Sequence, residues 1–404
     1  MKPETSRSVP SRFVFIDGLR GLAALSIVLF HLWWYEPNPT SAFSMVVHLP
    51  VIQQLLRWYE PDPAAAISLT NRGIEEVMLK IRGGVQVLLV ISGFVIAYTL
   101  RNTWMNPREV LLFLGRRLVR LVPAYWTTLG VVILVDMVSQ QIGGLPSPFE
   151  GGISLARISA HLTFLQDIFG HESFSAGIWT LCIEMQFYLV AVLGWLIAQR
   201  AFRRPQVSEP RPSARAIYSV FAPVAFISLF YWRGMDSTES LVIHFLWMFF
   251  LGMATWWTLD GTISLVAFGL IAGIATVELV LFEKNQFENL VALSTALAIL
   301  VAGRQQKLDQ WLNWPWLQYL GRISYSLYLI HFPVCHLLVS AGWKFFSHSP
   351  TLTQAMFILI GSLVASLLAA HAMYQLVEFP SARWAARMKN TNAALPVGKP
   401  TLIA

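Results

Sequence analysis

The sequence predicts an all-α membrane protein, a polytopic bundle of about ten transmembrane helices with both termini in the cytoplasm. Three observations predict it. Of 404 residues, 55% are hydrophobic and only 13% charged, where a soluble globular chain carries about 25% charged residues; mean hydropathy is +0.56. The apolar residues come in runs of roughly 20, the length that crosses hydrocarbon as a helix. The basic residues also segregate. With the N-terminus inside, 21 of the 29 Lys and Arg fall in inner segments and 8 in outer ones, the asymmetry that sets orientation in a membrane. The net charge of +7 therefore marks cytoplasmic loops and does not point to nucleic acid.

The elements follow in order. A polar, basic segment, 1–12, precedes the first span, 16–35, and no small-residue cleavage site follows that apolar run, so it reads as a retained helix. The stretch 36–81 is polar and proline-bearing and reads as an external loop. Spans at 83–101 and 121–139 come next, then a second external loop at 140–177. Spans at 178–198, 216–232, 239–257, 262–282 and 287–303 follow, with "LDGT" and "EKNQ" as tight turns between the last three. The final spans are 319–342 and 353–376. Residues 13–380 thus form one membrane domain, with 381–404 a cytoplasmic tail. There is no internal repeat. The two cysteines, Cys182 and Cys335, lie inside apolar segments and give neither a disulfide framework nor a metal-ligand spacing.

Several spans carry polar residues that hydrocarbon penalises by about 2.5–3.5 kcal/mol or more each. In "FIDGLRGLAALSIVLFHLWW", Arg20 and His31 are eleven residues apart, three turns plus roughly 20°, with a rise of about 16 Å. They share a face, and Asp17 can reach Arg20 from i−3. In "WTLCIEMQFY", Glu184 and Tyr188 share a face, with Trp179 earlier on the same helix. In "LGRISYSLYLIHFPV", Ser324, Tyr328 and His331 fall at i, i+4, i+7. In "AAHAMYQLVEFP", His371, Tyr374 and Glu378 fall at i, i+3, i+7. His244 has no polar companions on its stripe and reads as structural. In "GRRLVRLVPAYW", Arg116, Arg117 and Arg120 crowd the inner end of the third span, where Pro123 kinks or starts the helix. That triplet fits two roles: ordinary positive-inside anchoring, or a cradle in which guanidinium forks hold phosphate oxygens.

These segments, in this order, resemble the acyltransferase family 3 membrane proteins, the bacterial integral-membrane O-acyltransferases. The resemblance runs over about 13–380 and rests on "IDGLRGLAALSIVLFH", "GGVQVLLVISGFVI", "RRLVRLVPAYW", "WTLCIEMQFYL", "LGRISYSLYLIHFPV" and Glu378 with Pro380. It implies a protein of the inner (plasma) membrane with a cytoplasmic acyl-CoA donor, usually acetyl-CoA, as cosubstrate. It implies a hydroxyl acceptor on a sugar, an envelope glycan or a lipid-linked precursor. It also implies that Arg20 and His31 are the essential pair and that Arg117 with Arg120 holds CoA phosphates. Members commonly carry an acid where this chain has Gln86, so no role of that acid carries over.

Acyl transfer to an alcohol needs a base for the hydroxyl proton and donors for the oxyanion. His31 suits the base, since an unperturbed imidazole titrates near 6.5, and Glu184 or Glu378 is placed to orient it or a partner histidine. Arg116, Arg117 and Arg120 are the candidate donor site. Trp179, as a stacking face for a sugar, and Tyr188, Ser324, Tyr328, His331 and Glu378 are candidate substrate-binding residues. No metal ligand set is expected. An acyl-enzyme on Ser324 or His331 stays open beside direct transfer. The rival reading, a proton-coupled transporter, shares the buried ionisable residues but leaves the arginine triplet without a role. A haem protein with His31 and His331 as axial ligands leaves Arg20 unexplained as well.

Overall fold

The computed structural model describes residues 13–34, 81–142, 145–201, 210–232, 235, 239–282, 286–346 and 351–388. Among them every regular element is helical: α1 (Val14–Trp34), α2 (Gly84–Leu100), α3 (Pro107–Ile142), α4 (Leu155–Leu162), α5 (Trp179–Ala201), α6 (Ala214–Phe230), α7 (Val242–Leu259), α8 (Leu265–Leu281), α9 (Gln286–Arg304), α10 (Pro315–Phe345), α11 (Leu352–Met373) and α12 (Phe379–Arg387), with a π-helical turn, Tyr374–Glu378, joining the last two. Among the described residues seven helical stretches are long and apolar enough to cross a membrane, and α2, α6 and α8 are shorter apolar helices. The expected loop 36–81 lies almost wholly outside the described residues.

Close backbone approach organises the centre. α7 is buried along nearly all its length. A Cβ on Gly93 of α2 would stand 1.9 Å from the Phe249 carbonyl oxygen, and one on Gly252 of α7 would stand 1.9 Å from that of Val90. Only hydrogen fits at either position, so α2 and α7 touch backbone to backbone. This is how helices pack where lipid offers no hydrophobic driving force. α1 and α10 repeat the device: a Cβ on Gly21 would meet the Gly321 nitrogen at 2.8 Å, and one on Gly321 the Asp17 carbonyl oxygen at 2.1 Å. α8 instead turns Val266, Leu270, Val280 and Leu281 outward, as a lipid-facing helix does.

Three expectations need correction. The third span begins at Pro107, well before residue 121, and continues through Pro123 without ending. Hydropathy places the start late because 108–120 carries arginines, but backbone hydrogen bonding does not depend on that.

The stretch expected as a second external loop, 140–177, is more ordered than a loop: α3 runs on to Ile142, and 145–178 carries α4 and packs on α3. Tyr125 and Trp126, at the middle of α3, donate to the carbonyls of His161 (2.9 Å) and Leu162 (3.4 Å), and Phe164 stacks on Tyr125 at 4.5 Å. Its Arg157 and His161 side chains are paired within the segment. Arg157, 4% exposed, donates to the carbonyls of Glu172 at 2.9 and 3.1 Å and of Gly152 at 2.8 Å, and also to that of Glu150. Its guanidinium lies 4.4 and 5.1 Å from the ring centres of Phe174 and Phe149. His161 bridges the Arg157 carbonyl (Nδ1, 2.8 Å) and the Phe174 amide (Nε2, 3.1 Å), and burial pushes its imidazole down to about 4. Pairing of this kind lets the buried side of a polar stretch pack on a bundle.

The stripe of His371, Tyr374 and Glu378 is also broken. The π turn adds a residue to the repeat, so His371 stays exposed beside the Tyr319 hydroxyl at 2.8 Å, while Glu378 is buried.

Candidate active site

A cavity of about 110 Å³ lies between α1, α2, α3, α5 and α10. Three arginines line it: Arg20 from α1, and Arg117 and Arg120 from α3. Asp17, Ser92, Glu184 and Tyr188 complete its polar wall; Ser324, Tyr328 and Thr180 also line it, as does Tyr325, whose hydroxyl donates to the Leu121 carbonyl at 2.9 Å. The i, i+3 spacing of Arg117 and Arg120 puts both on the inward face of α3. Arg116, one residue earlier and about 100° round the helix, turns away and donates from Nε to the Met388 carbonyl at 2.9 Å. The triplet is therefore a pair plus an anchor.

The arginines are held by charge and rings more than by hydrogen bonds. Arg117 sits over the rings of Tyr188 (5.1 Å) and Phe113 (5.4 Å). Arg20 is within electrostatic reach of Arg120, Asp17, Glu378 and Glu184. The Nε of Arg120 is buried without a hydrogen-bond partner among the described residues. Such a donor is costly unless something accepts from it. Glu184 receives the Tyr188 hydroxyl and, at 3.2 Å, that of Ser92. It sits with the arginines, so the expectation that Glu184 orients His31 does not hold: the carboxylate belongs to the other end of the cavity.

At the far end the Tyr328 hydroxyl is 2.6 Å from Thr180 Oγ1, and Thr180 in turn donates to the Gly177 carbonyl at 3.2 Å. Ser324 donates to the Gly321 carbonyl at 2.9 Å. His331, one turn further along α10, has its ring centre 6.3 Å from that of Tyr328. Its Nε2 is 3.1 Å from Nδ1 of His31. The two histidines stand beyond the residues that line the cavity. Their nitrogens are too close to admit an iron, which would hold each at about 2 Å, so the haem reading fails on geometry.

Two expected substrate-binding residues stand apart. Glu378 accepts from the amide (3.2 Å) and hydroxyl (2.6 Å) of Ser326 and ties the π turn to α10. Trp179 packs on Phe245 at 5.7 Å. Neither lines the cavity, and neither does Gln86, whose Oε1 is buried without a partner among the described residues. Ser92 and Thr180 were not singled out from the sequence. The signal for Ser92 was available, as a hydroxyl in the apolar middle of α2.

Comparison with known proteins agrees with this architecture. A family model described as an acyltransferase domain matches residues 13–371. The chain is 26% identical to a putative membrane-bound transacylase, BcsY, of Komagataeibacter xylinus, over 90% of this chain and 81% of that protein. It is 22% identical to the peptidoglycan O-acetyltransferase OatA of Listeria monocytogenes, over 63% of this chain and 45% of that protein, so it spans less than half of OatA's length. No solved structure matches it significantly. With apolar helices of membrane-crossing length and a family match over nearly its whole sequence, the chain belongs to the acyltransferase family 3 and is a multi-pass membrane enzyme that transfers acyl groups other than amino-acyl groups.

Proposed function

We propose that the enzyme moves an acetyl or other short acyl group from acyl-CoA to a hydroxyl of an envelope glycan or lipid-linked sugar. The observation that carries this reading is the cavity: three guanidinium groups at one end, one with an unpartnered buried donor, and a polar column leading from it to two histidines. Arg20, Arg117 and Arg120 hold the donor's phosphates, as guanidinium forks do; Arg116 is not in this set. The basic residues crowd the arginine end, which supports entry of the donor from the cytoplasm. From Arg20 to His31 the rise along α1 is about 16 Å, a gap of the order that an extended pantetheine arm bridges. The thioester then lies past Tyr328, near His31.

There His31 Nε2 takes the proton of the acceptor hydroxyl. The alcohol oxygen attacks the thioester carbonyl, the C–S bond breaks, and the imidazolium returns the proton to the departing sulfur, giving ester and free CoA thiol. Peptidoglycan is the acceptor that OatA's name gives, and it supports an envelope glycan here.

The test compares envelope glycans by mass spectrometry in a deletion strain that carries either the wild-type protein or His31→Ala. The wild type should restore a product heavier by one acyl group and the variant should not. A restored product with His31→Ala would overturn the assignment of the base. Identical glycans, lipid-linked sugars and secreted metabolites in deletion and complemented strains would overturn the acceptor class.

A further inference from the structure

We infer that His331 is the positioning residue that holds His31 in the tautomer a general base requires. The inference rests on the reading of His31 as the base and adds a second histidine to it.

The local geometry begins with glycines. α1 and α10 touch where Gly21 meets Gly321. His31 follows Gly21 by ten residues and His331 follows Gly321 by ten. Two parallel helices in contact at the glycines therefore raise both histidines by about 15 Å to the same height. Their rings meet with centres 5.1 Å apart and planes inclined by 44°.

The proton positions follow from the partners. Nδ1 of His331 is 2.9 Å from the Leu327 carbonyl, and Nδ1 of His31 is 2.9 Å from the Ile27 carbonyl. A carbonyl oxygen only accepts, so both Nδ1 atoms carry hydrogen. In the neutral rings both Nε2 atoms then carry lone pairs. The lone pair of His331 Nε2 points at the N–H of His31 Nδ1, 3.1 Å away. His31 divides that N–H between the Ile27 carbonyl and His331. Its own Nε2 is left as the basic nitrogen, on the opposite edge of the ring from His331.

His331 has no other state compatible with this contact. A proton on its Nε2 would set two N–H groups against each other. It is 0% exposed, which disfavours a charge on it further. When His31 takes the substrate proton, its Nδ1–H···Nε2 bond to His331 becomes charge-assisted and stronger. The contact therefore favours the transition state as well as the starting tautomer. His331 does with a neutral ring what a carboxylate does behind the histidine of a hydrolase triad.

The experiment measures acyl transfer from labelled acetyl-CoA to envelope glycan in membranes, with His331→Leu, His331→Gln and His31→Ala beside the wild type. Leu fills the site with no acceptor. Gln offers a carbonyl to His31 and an amide to Leu327. The expected result is a kcat on the order of 10²-fold lower for His331→Leu, with donor KM within about twofold, and at least tenfold recovery in His331→Gln. Wild-type kcat in His331→Leu, or equal losses in both variants, would overturn the inference. Activity in His31→Ala would instead overturn the base itself. A merely structural His331 would lower the amount of folded enzyme and leave kcat per folded molecule alone.

Nitrogen-15 NMR of histidine-labelled wild-type protein gives a reading that needs no His331 variant, with the His31 signals identified by their loss in His31→Gln. His31 protonated at Nδ1 and bare at Nε2 is expected; the reverse tautomer contradicts the inference.

Discussion

Two regions of this molecule use the same residues to opposite ends. In the segment 145–178, Arg157 and His161 are buried and saturated: the guanidinium is bound to three carbonyls and flanked by two rings, and both imidazole nitrogens are bonded to backbone. In the cavity, Arg20, Arg117 and Arg120 make no hydrogen bond to any described residue, and beyond it His31 makes its polar contacts through Nδ1. A buried arginine surrounded by carbonyls is a strut. One facing a cavity among rings and carboxylates has donors left open to a ligand. Residue type does not distinguish them; the state of their donors does.

The largest effect should come from the strut. Arg157→Leu leaves three carbonyls without a donor and should cost on the order of 3–5 kcal/mol, seen as loss of folded protein in detergent by fluorescence-detected size exclusion. A fully folded Arg157→Leu would break the comparison. Next comes Arg117→Ala with Arg120→Ala, which should lower acyl transfer by about 10²-fold or more. Its melting temperature should stay at or above that of the wild type, since two like charges are removed from one cavity. Loss of folding there would make these arginines struts too.

Glu184→Gln sharpens the comparison within the cavity. It keeps the size of the carboxylate and a bond to Tyr188 but removes a negative charge beside Arg117 and Arg20, so an anionic donor should bind more tightly, with a donor KM lowered by roughly severalfold. The smallest effect concerns pH. His161 is held neutral in the fold, at about 4, against about 6.5 in the unfolded chain. Between those values the unfolded chain binds the proton and the fold does not. The contribution of His161 is therefore complete above pH 6.5 and lost as pH falls toward 4. Thermal melts at pH 7 and pH 5 should differ less in His161→Gln than in wild type.

Much of the fold was legible as apolar runs. The spans expected around 83–101, 262–282 and 319–342 fall on α2, α8 and α10. The packing of 145–178 on α3 was not legible, because hydropathy rates each residue against water and not against the partner that makes burial tolerable. For the site, the eleven-residue interval from Arg20 to His31 could be read as one face, and so could Arg117 with Arg120. The exclusion of Arg116 could not, since it depends on which face of α3 turns inward. The pairing of His31 with His331 was not legible either. It needs Gly21 against Gly321, a contact between positions 300 residues apart. Glu378 was misplaced by a π turn that no hydrophobic period announces.

The central claim is that the cavity arginines are open donors for an anionic cosubstrate. Its most direct test is calorimetric binding of acetyl-CoA, and of acetyl-CoA lacking the 3′-phosphate, to purified wild-type protein and to Arg117→Ala with Arg120→Ala. The wild type should bind the intact donor, the double variant should bind it at least tenfold more weakly, and the variant should no longer distinguish the two donors. Equal affinity of wild type and double variant for intact acetyl-CoA would contradict it.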